Sequence, residues 1–122
     1  MPPTEISVHK KSARLELTYD STSHILPAEY LRVFSPSAEV QGHSKDQAIL
    51  QHGKRLVTFK DIELQGNYAI RLIFSDGHDT GIYSWTYLWE LGENYDSNWA
   101  RYLENLEKAG KSREPQFIAV ST

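Results

Sequence analysis

The sequence predicts an α+β fold, a mainly antiparallel sheet packed against C-terminal helices in a single small domain. Three observations predict it. Apolar residues alternate with polar ones in the N-terminal part, as in Ile6, Val8 and then Leu15, Leu17, Tyr19; that period of two marks half-buried strands. Asp76–Gly77 separates two β-prone runs, and both residue types tolerate the positive φ that a tight hairpin turn needs. After Trp85 the apolar spacing changes to that of a helix.

Two short strands are predicted near 5–10 and 13–19, joined by Lys11–Ser12, with a turn at Asp20–Ser23 and a third short strand over His24–Pro27. Pro27 suits the first turn of a following helix, where its missing N–H is not needed. Pro36 then stops that helix. From Ser35 to Gly53 the chain is polar and reads as a long loop with a brief helical turn near Asp46–Leu50; loops of this length in small domains are often functional. Strands follow near 56–65, 68–75 and 81–85, with a turn at Gly66–Asn67. Trp85, Leu88, Trp89 and Leu91 fit one short helix ending at Gly92, and Asp96 or Ser97 can cap a second. Trp99, Leu103 and Leu106 form its apolar stripe with Tyr102, and Gly110 ends it. Residues 111–122 read as a flexible tail, or an added edge strand at Phe117–Val120. The predicted core holds Leu15, Leu17, Ile70, Leu72, Phe74 and Ile82, and truncating one of these to Ala should cost ~2–5 kcal/mol.

Composition narrows the function. A chain of 122 residues makes one domain. With 39% hydrophobic, 24% charged and 11% aromatic residues it is globular rather than disordered. A net charge of −3 gives no long-range attraction to nucleic acid or anionic lipid, although Lys10, Lys11 and Arg14 form a local basic group. The absence of cysteine excludes disulfides, thiol nucleophiles, thiolate zinc sites and cysteine-held clusters within the chain. The opening MPPTEISVHKK lacks the apolar stretch of a signal peptide, and no apolar run reaches the ~20 residues of a membrane span. Cytoplasmic residence is the expectation.

Three groups of residues carry candidate chemistry. Ser75-Asp76-Gly77-His78-Asp79 places two carboxylates and an imidazole on one hairpin tip. Such a group can bind a divalent metal or move a proton; the plainer alternative is a polar turn in which Asp76 caps backbone amides. Ser35-Pro36-Ser37 through Gly42-His43-Ser44 offers hydroxyls and an imidazole to an anion, without P-loop or nucleophile-elbow spacing. The aromatic residues Tyr83, Trp85, Tyr87, Trp89, Tyr95, Trp99 and Tyr102 are numerous enough for a cationic-ligand cage, but core and helix docking account for them more simply. Arg32 and Arg71 suit structural ion pairs or a ligand carboxylate. His9, His24 and His52 share no ligand spacing and read as surface or strand residues.

The runs Leu31-Arg-Val-Phe-Ser-Pro-Ser-Ala-Glu-Val-Gln-Gly-His43 and Gly66-Asn-Tyr-Ala-Ile-Arg-Leu-Ile-Phe-Ser-Asp-Gly-His-Asp-Thr-Gly-Ile-Tyr-Ser-Trp85 carry a resemblance. They are similar to the gamma-butyrobetaine hydroxylase-like N-terminal domain family over about residues 6–92, with 93–110 as a helix packed on that unit. In the carnitine-pathway dioxygenases this domain precedes the iron-holding domain and carries a zinc bound by three Cys and one His. The resemblance puts the three Cys positions on Ser35, Ser37 and Val40, and the His position on His78. A hydroxyl is a poor zinc ligand beside a thiolate and Val40 has no donor, so the zinc is expected to be absent and no cofactor is implied. The His-x-Asp…His set of the hydroxylase lies in the second domain, for which 122 residues leave no room. The family also occurs fused to Mrp-type iron–sulfur carrier ATPases, and a free-standing bacterial chain resembles that usage more than the enzyme.

The expectation is a non-catalytic binding or adaptor module for a protein partner, linked to metal or iron–sulfur handling, with no nucleic acid or membrane partner. Its contact surface would be the 31–44 loop beside the 75–81 hairpin, with Arg32, Ser35, Ser37, His43, Asp76 and His78. A hydrogen-bonded Ser35/Ser37/His78 group would replace the metal as a clasp. The first alternative is a metal-dependent site, or an accessory domain of a dioxygenase, using His78, Asp76, Asp79 and His43. The second is a binder of a trimethylammonium or carboxylate ligand.

Overall fold

The computed structural model of the chain describes residues 2–42 and 48–115. β1 (Glu5–His9), β2 (Arg14–Thr18) and β3 (Ser23–Pro27) form an antiparallel three-stranded sheet. Its register sets Ile6 opposite Leu17 and Leu15 opposite Leu26. The period-two pattern therefore turns Leu15, Leu17 and Leu26 to one covered face. Two short helices follow, α1 (Ala28–Val33) and α2 (Ala38–Gln41). A second antiparallel sheet holds β4 (Phe59–Gln65), β5 (Ala69–Phe74) and β6 (Gly81–Ser84), with a register slip between Phe59 and Asp61. α3 (Trp85–Glu93) and α4 (Tyr95–Ala109) close the described elements. The fold is α+β as predicted, but its strands form two sheets rather than one. Both sheets turn apolar faces to a shared core in which Leu15, Leu26, Tyr30, Ile70, Phe74, Tyr83 and Leu88 are buried.

Several local expectations are corrected. Ile82 is not core: it pairs with Arg71 on the solvent side and is 43% exposed, while Tyr83 takes the inward position. A strand entered one residue out of phase reverses every side chain, and Gly81 had masked the phase. α1 ends at Val33, ahead of Pro36, and the helical turn in the polar stretch lies at 38–41, not near Leu50, where 48–50 are irregular. α3 runs through Gly92 to Glu93. Gly92 is there for close approach, since a Cβ would lie 2.5 Å from the His24 ring. His24 is the strand residue of the two readings, in β3, with its side chain turned inward. It packs edge-on against Tyr19 and Trp89, with Nε2 3.2 Å from the Glu93 carboxylate but outside hydrogen-bond alignment.

Asn94, not Asp96 or Ser97, precedes α4. The buried stripe of that helix is Tyr102 and Leu106 with Trp99 beside them, whereas Leu103 is 40% exposed. Gly110 ends it in the left-handed conformation at φ 66°, as the sequence predicts. Of the predicted 111–122 tail, the described residues 111–115 run alongside the 53–55 segment. Gly53 N and Arg55 N donate to Ser112 O and Arg113 O, and Arg113 reaches the buried Glu29 through two bonds of 2.8 and 2.7 Å. A buried carboxylate needs such a partner. His43, the first part of the Asp46–Leu50 turn and Phe117–Val120 lie outside the described residues. No helix among the described residues is long and apolar enough to cross a membrane.

Candidate functional site

The end of α1 meets the β5–β6 hairpin through hydroxyl groups. A six-residue helix leaves its last carbonyls without helical partners. Tyr83 Oη donates to Leu31 O and Tyr87 Oη to Phe34 O, so two tyrosines from β6 and α3 supply them. Burial raises both phenols, Tyr87 to about 12 and Tyr83 further, so both remain donors across the ordinary pH range.

Asp76, at the hairpin tip, gathers three segments. Arg32 Nε from α1 and Lys54 Nζ each donate to Oδ2 at 2.9 Å, and the His78 N–H donates to Oδ1 at 3.1 Å. Burial alone would raise the Asp76 pKa, but the bonds from Lys54 and His78 N, with the Arg32 guanidinium, override it and hold the carboxyl at about 2. Arg32 also donates to Gln51 Oε1 at 3.0 Å, which ties in the 48–54 segment. Asp76 caps a backbone amide, as the plainer reading of the turn requires.

Ser35, Ser37 and His78 meet. Ser35 Oγ is 2.8 Å and Ser37 Oγ 3.4 Å from His78 Nε2, and the Ser37 N–H donates to Ser35 Oγ at 3.3 Å. On the far side of the ring, His78 Nδ1 lies 3.6 Å from a Glu39 carboxylate oxygen. Gly81 leaves room for this group, since a Cβ there would lie 2.7 Å from Ser35 Oγ. Burial lowers the His78 pKa, and the nearby Arg32 adds to that, with Lys54 acting the same way; Glu39 and Asp76 oppose them. The order Ser–His–Glu is that of a nucleophile system, yet Ser35 is 0% exposed and the His78 side chain 5%. No substrate carbonyl can reach Ser35 Oγ, so the group acts as a clasp between the 35–41 segment and the hairpin.

The structure brings Arg32, Ser35, Ser37, Asp76 and His78 together and revises how they serve. Arg32, Ser35, Ser37 and the His78 side chain are buried, Arg32 on Asp76 and the serines on His78, so any partner meets the residues around them instead. Asp79 is turned away toward Arg71, with carboxylate and guanidinium 3.6 Å apart. Asp76 is already held by two cations, and no group of three His, Cys, Asp or Glu suited to a metal exists among the described residues. His43 lies outside them. Glu39, Tyr83 and Tyr87 lie in runs the sequence singles out, but their contacts with His78 and α1 are not readable there; Gln51 and Lys54 belong to no motif, and only the fold brings them in.

The family model "Gamma-butyrobetaine hydroxylase-like, N-terminal" matches residues 6–89. The chain belongs to this family. A solution structure determined by NMR is 49% identical, covers 99% of this chain and 96% of its own, and superposes with a TM-score of 0.84. A second NMR structure is 42% identical with a TM-score of 0.79, covering 99% and 92%. A crystal structure of a protein of unknown function in the DUF971 family, from Acidithiobacillus ferrooxidans, is 36% identical over 74% of this chain and 91% of its own, with a TM-score of 0.61. A search of curated proteins finds no match. For a gamma-butyrobetaine hydroxylase-like N-terminal domain, the residues at the implied zinc positions do not fit that metal. Two are buried hydroxyls engaged with His78 and the third, Val40, is a buried side chain without a donor atom.

Proposed function

We propose that this domain is a non-catalytic module that recognises a protein partner, and that the clasp keeps the recognition face in shape. The observation that carries the reading is the burial of Ser35 and His78 in mutual hydrogen bonds. The group best arranged for chemistry is closed to substrate, so its contribution is geometric. The face it supports is formed by the exposed parts of α2, the 48–51 segment and α4. The family resemblance supports a partner in metal or iron–sulfur handling. A metal-dependent site on the hairpin is the weaker reading, because Asp76 answers to Arg32 and Lys54 and Asp79 to Arg71.

The test is to purify the full chain from its native host, with cross-linking, and to rebuild any complex from two purified components. A defined partner that binds the wild type at near-stoichiometric amounts supports the proposal. Stoichiometric metal held by the purified chain and lost in His78→Ala would replace it with the metal reading.

A further inference from the structure

α4 carries Arg101 and Asn105 at i and i+4, on one side of the helix. They line a cleft of about 350 Å³ bounded by α2, the 48–51 segment and α4. Its floor is apolar: Val33, Val40 and Tyr102 are buried there. Its walls are tied by internal bonds. Ile49 N donates to Val40 O at 2.8 Å, and Tyr102 Oη to Gln51 O at 2.8 Å. The cleft is therefore formed without a ligand to order it, as small binding sites usually are.

Among the described residues the rim carries one sign of charge. Arg101 is the single charged side chain among the described lining residues, and Gln41 and Asn105 add amides. Arg32, Arg55, Arg71 and Arg113 each face a carboxylate; Arg101, like Arg14 far from the cleft on β2, faces none among the described residues. A guanidinium with amides beside it, above an apolar floor, matches a carboxylate attached to an apolar group.

We propose that this cleft takes the C-terminus of a partner protein whose last residue is apolar. That side chain would lie on Val33, Val40 and Tyr102, with its carboxylate on Arg101. This rests on the reading of the domain as a partner-binding module and names the part of the partner it holds. A chain end is favoured over a free acid because exposed Ile49 borders the cleft and offers the preceding residues a further apolar contact.

The experiment titrates the isotope-labelled full chain with acetylated tripeptides ending in Leu, Val or Phe, with their C-terminal amides, and with 4-methylpentanoate. Binding should shift the amide signals of Ile49, Leu50, Arg101 and Asn105. Affinity should fall about tenfold for the amides and about tenfold in Arg101→Gln, the size of one charge-assisted contact. Arg101 is exposed, so the variant keeps the wild-type Tm. Equal affinity for acid and amide, shifts confined to other surfaces, no shift at millimolar peptide, or equally tight binding of 4-methylpentanoate each overturn the proposal. Should a purified partner bind Arg101→Gln as well as wild type, this site falls while the binding-module reading stands. Should no partner exist, that reading falls and the peptide titration still decides the cleft.

Discussion

Replacing His78 by Ala tests the clasp directly. The imidazole is almost fully enclosed and accepts or donates at Nε2 with Ser35 and Ser37. Its removal takes a partner from two buried hydroxyls; Ser35 Oγ keeps the Ser37 N–H, so one is left short, at about 1–3 kcal/mol, and a cavity opens whose walls relax only in part. A total of about 2–4 kcal/mol is expected. Unfolding entropy of about 2.1 cal/mol/K per residue, taken over 122 residues, is about 0.26 kcal/mol/K. The variant should then melt about 8–16 °C below wild type in calorimetry. Cavity formation alone would lower Tm as well, so the pair is isolated by a double-mutant cycle with Ser35→Ala. Because Ser35 and His78 bond each other at 2.8 Å, the double variant should lose less than the sum of the singles, by about 0.5–3 kcal/mol. A drop under about 2 °C for His78→Ala, or strict additivity in the cycle, would refute the reasoning.

Stability should also follow the His78 proton. Its folded pKa is depressed below 6.5, so the unfolded chain binds the proton more tightly and acid favours unfolding. The contribution is complete above pH 6.5 and is lost as pH falls from there through the folded value; denaturant titrations from pH 7.5 to 5 should show wild-type stability falling, and falling less in His78→Ala. Ser35→Cys, Ser37→Cys and Val40→Cys combined should let the chain take up one zinc with His78, detected by metal analysis and by a Tm that a chelator lowers. Ala13 sits at φ 55° between β1 and β2, a region where only Gly is unstrained, so Ala13→Gly should be stabilising by up to about 1 kcal/mol in denaturant titration.

The strands were legible because alternation is a local property. Leu15 and Leu17, or Ile70 and Leu72, advertise a covered face whichever strand lies beside them. Which strands share a sheet is not local, and nothing in residues 5–27 or 59–84 says that the two groups separate. The clasp was legible only through resemblance. Ser35 and His78 lie 43 positions apart and hydroxyls are common in loops, so no spacing rule joins them. Glu39, Lys54 and Arg113 were invisible for the same reason: each gains its role from a partner that the fold alone brings near.

Gly92 shows how far such a tertiary cause can reverse a local expectation. In an exposed helix interior, Gly→Ala is stabilising by about 1 kcal/mol through backbone entropy and helix propensity. Inside α3 the added methyl would stand 2.5 Å from the His24 ring. That ring cannot swing away, because Tyr19 and Trp89 hold it edge-on at centroid distances of 6.0 and 5.2 Å. Overpacking of this kind costs about 1–3 kcal/mol, more than propensity returns, so Gly92→Ala should be net destabilising by about 0–2 kcal/mol. The compensating change is at the other side of the contact: in a His24→Ala background the clash is gone, and the same substitution should raise stability by about 1 kcal/mol. A Gly92→Ala variant that is stabilised equally in both backgrounds would show that α3 does not press on the His24 ring of β3.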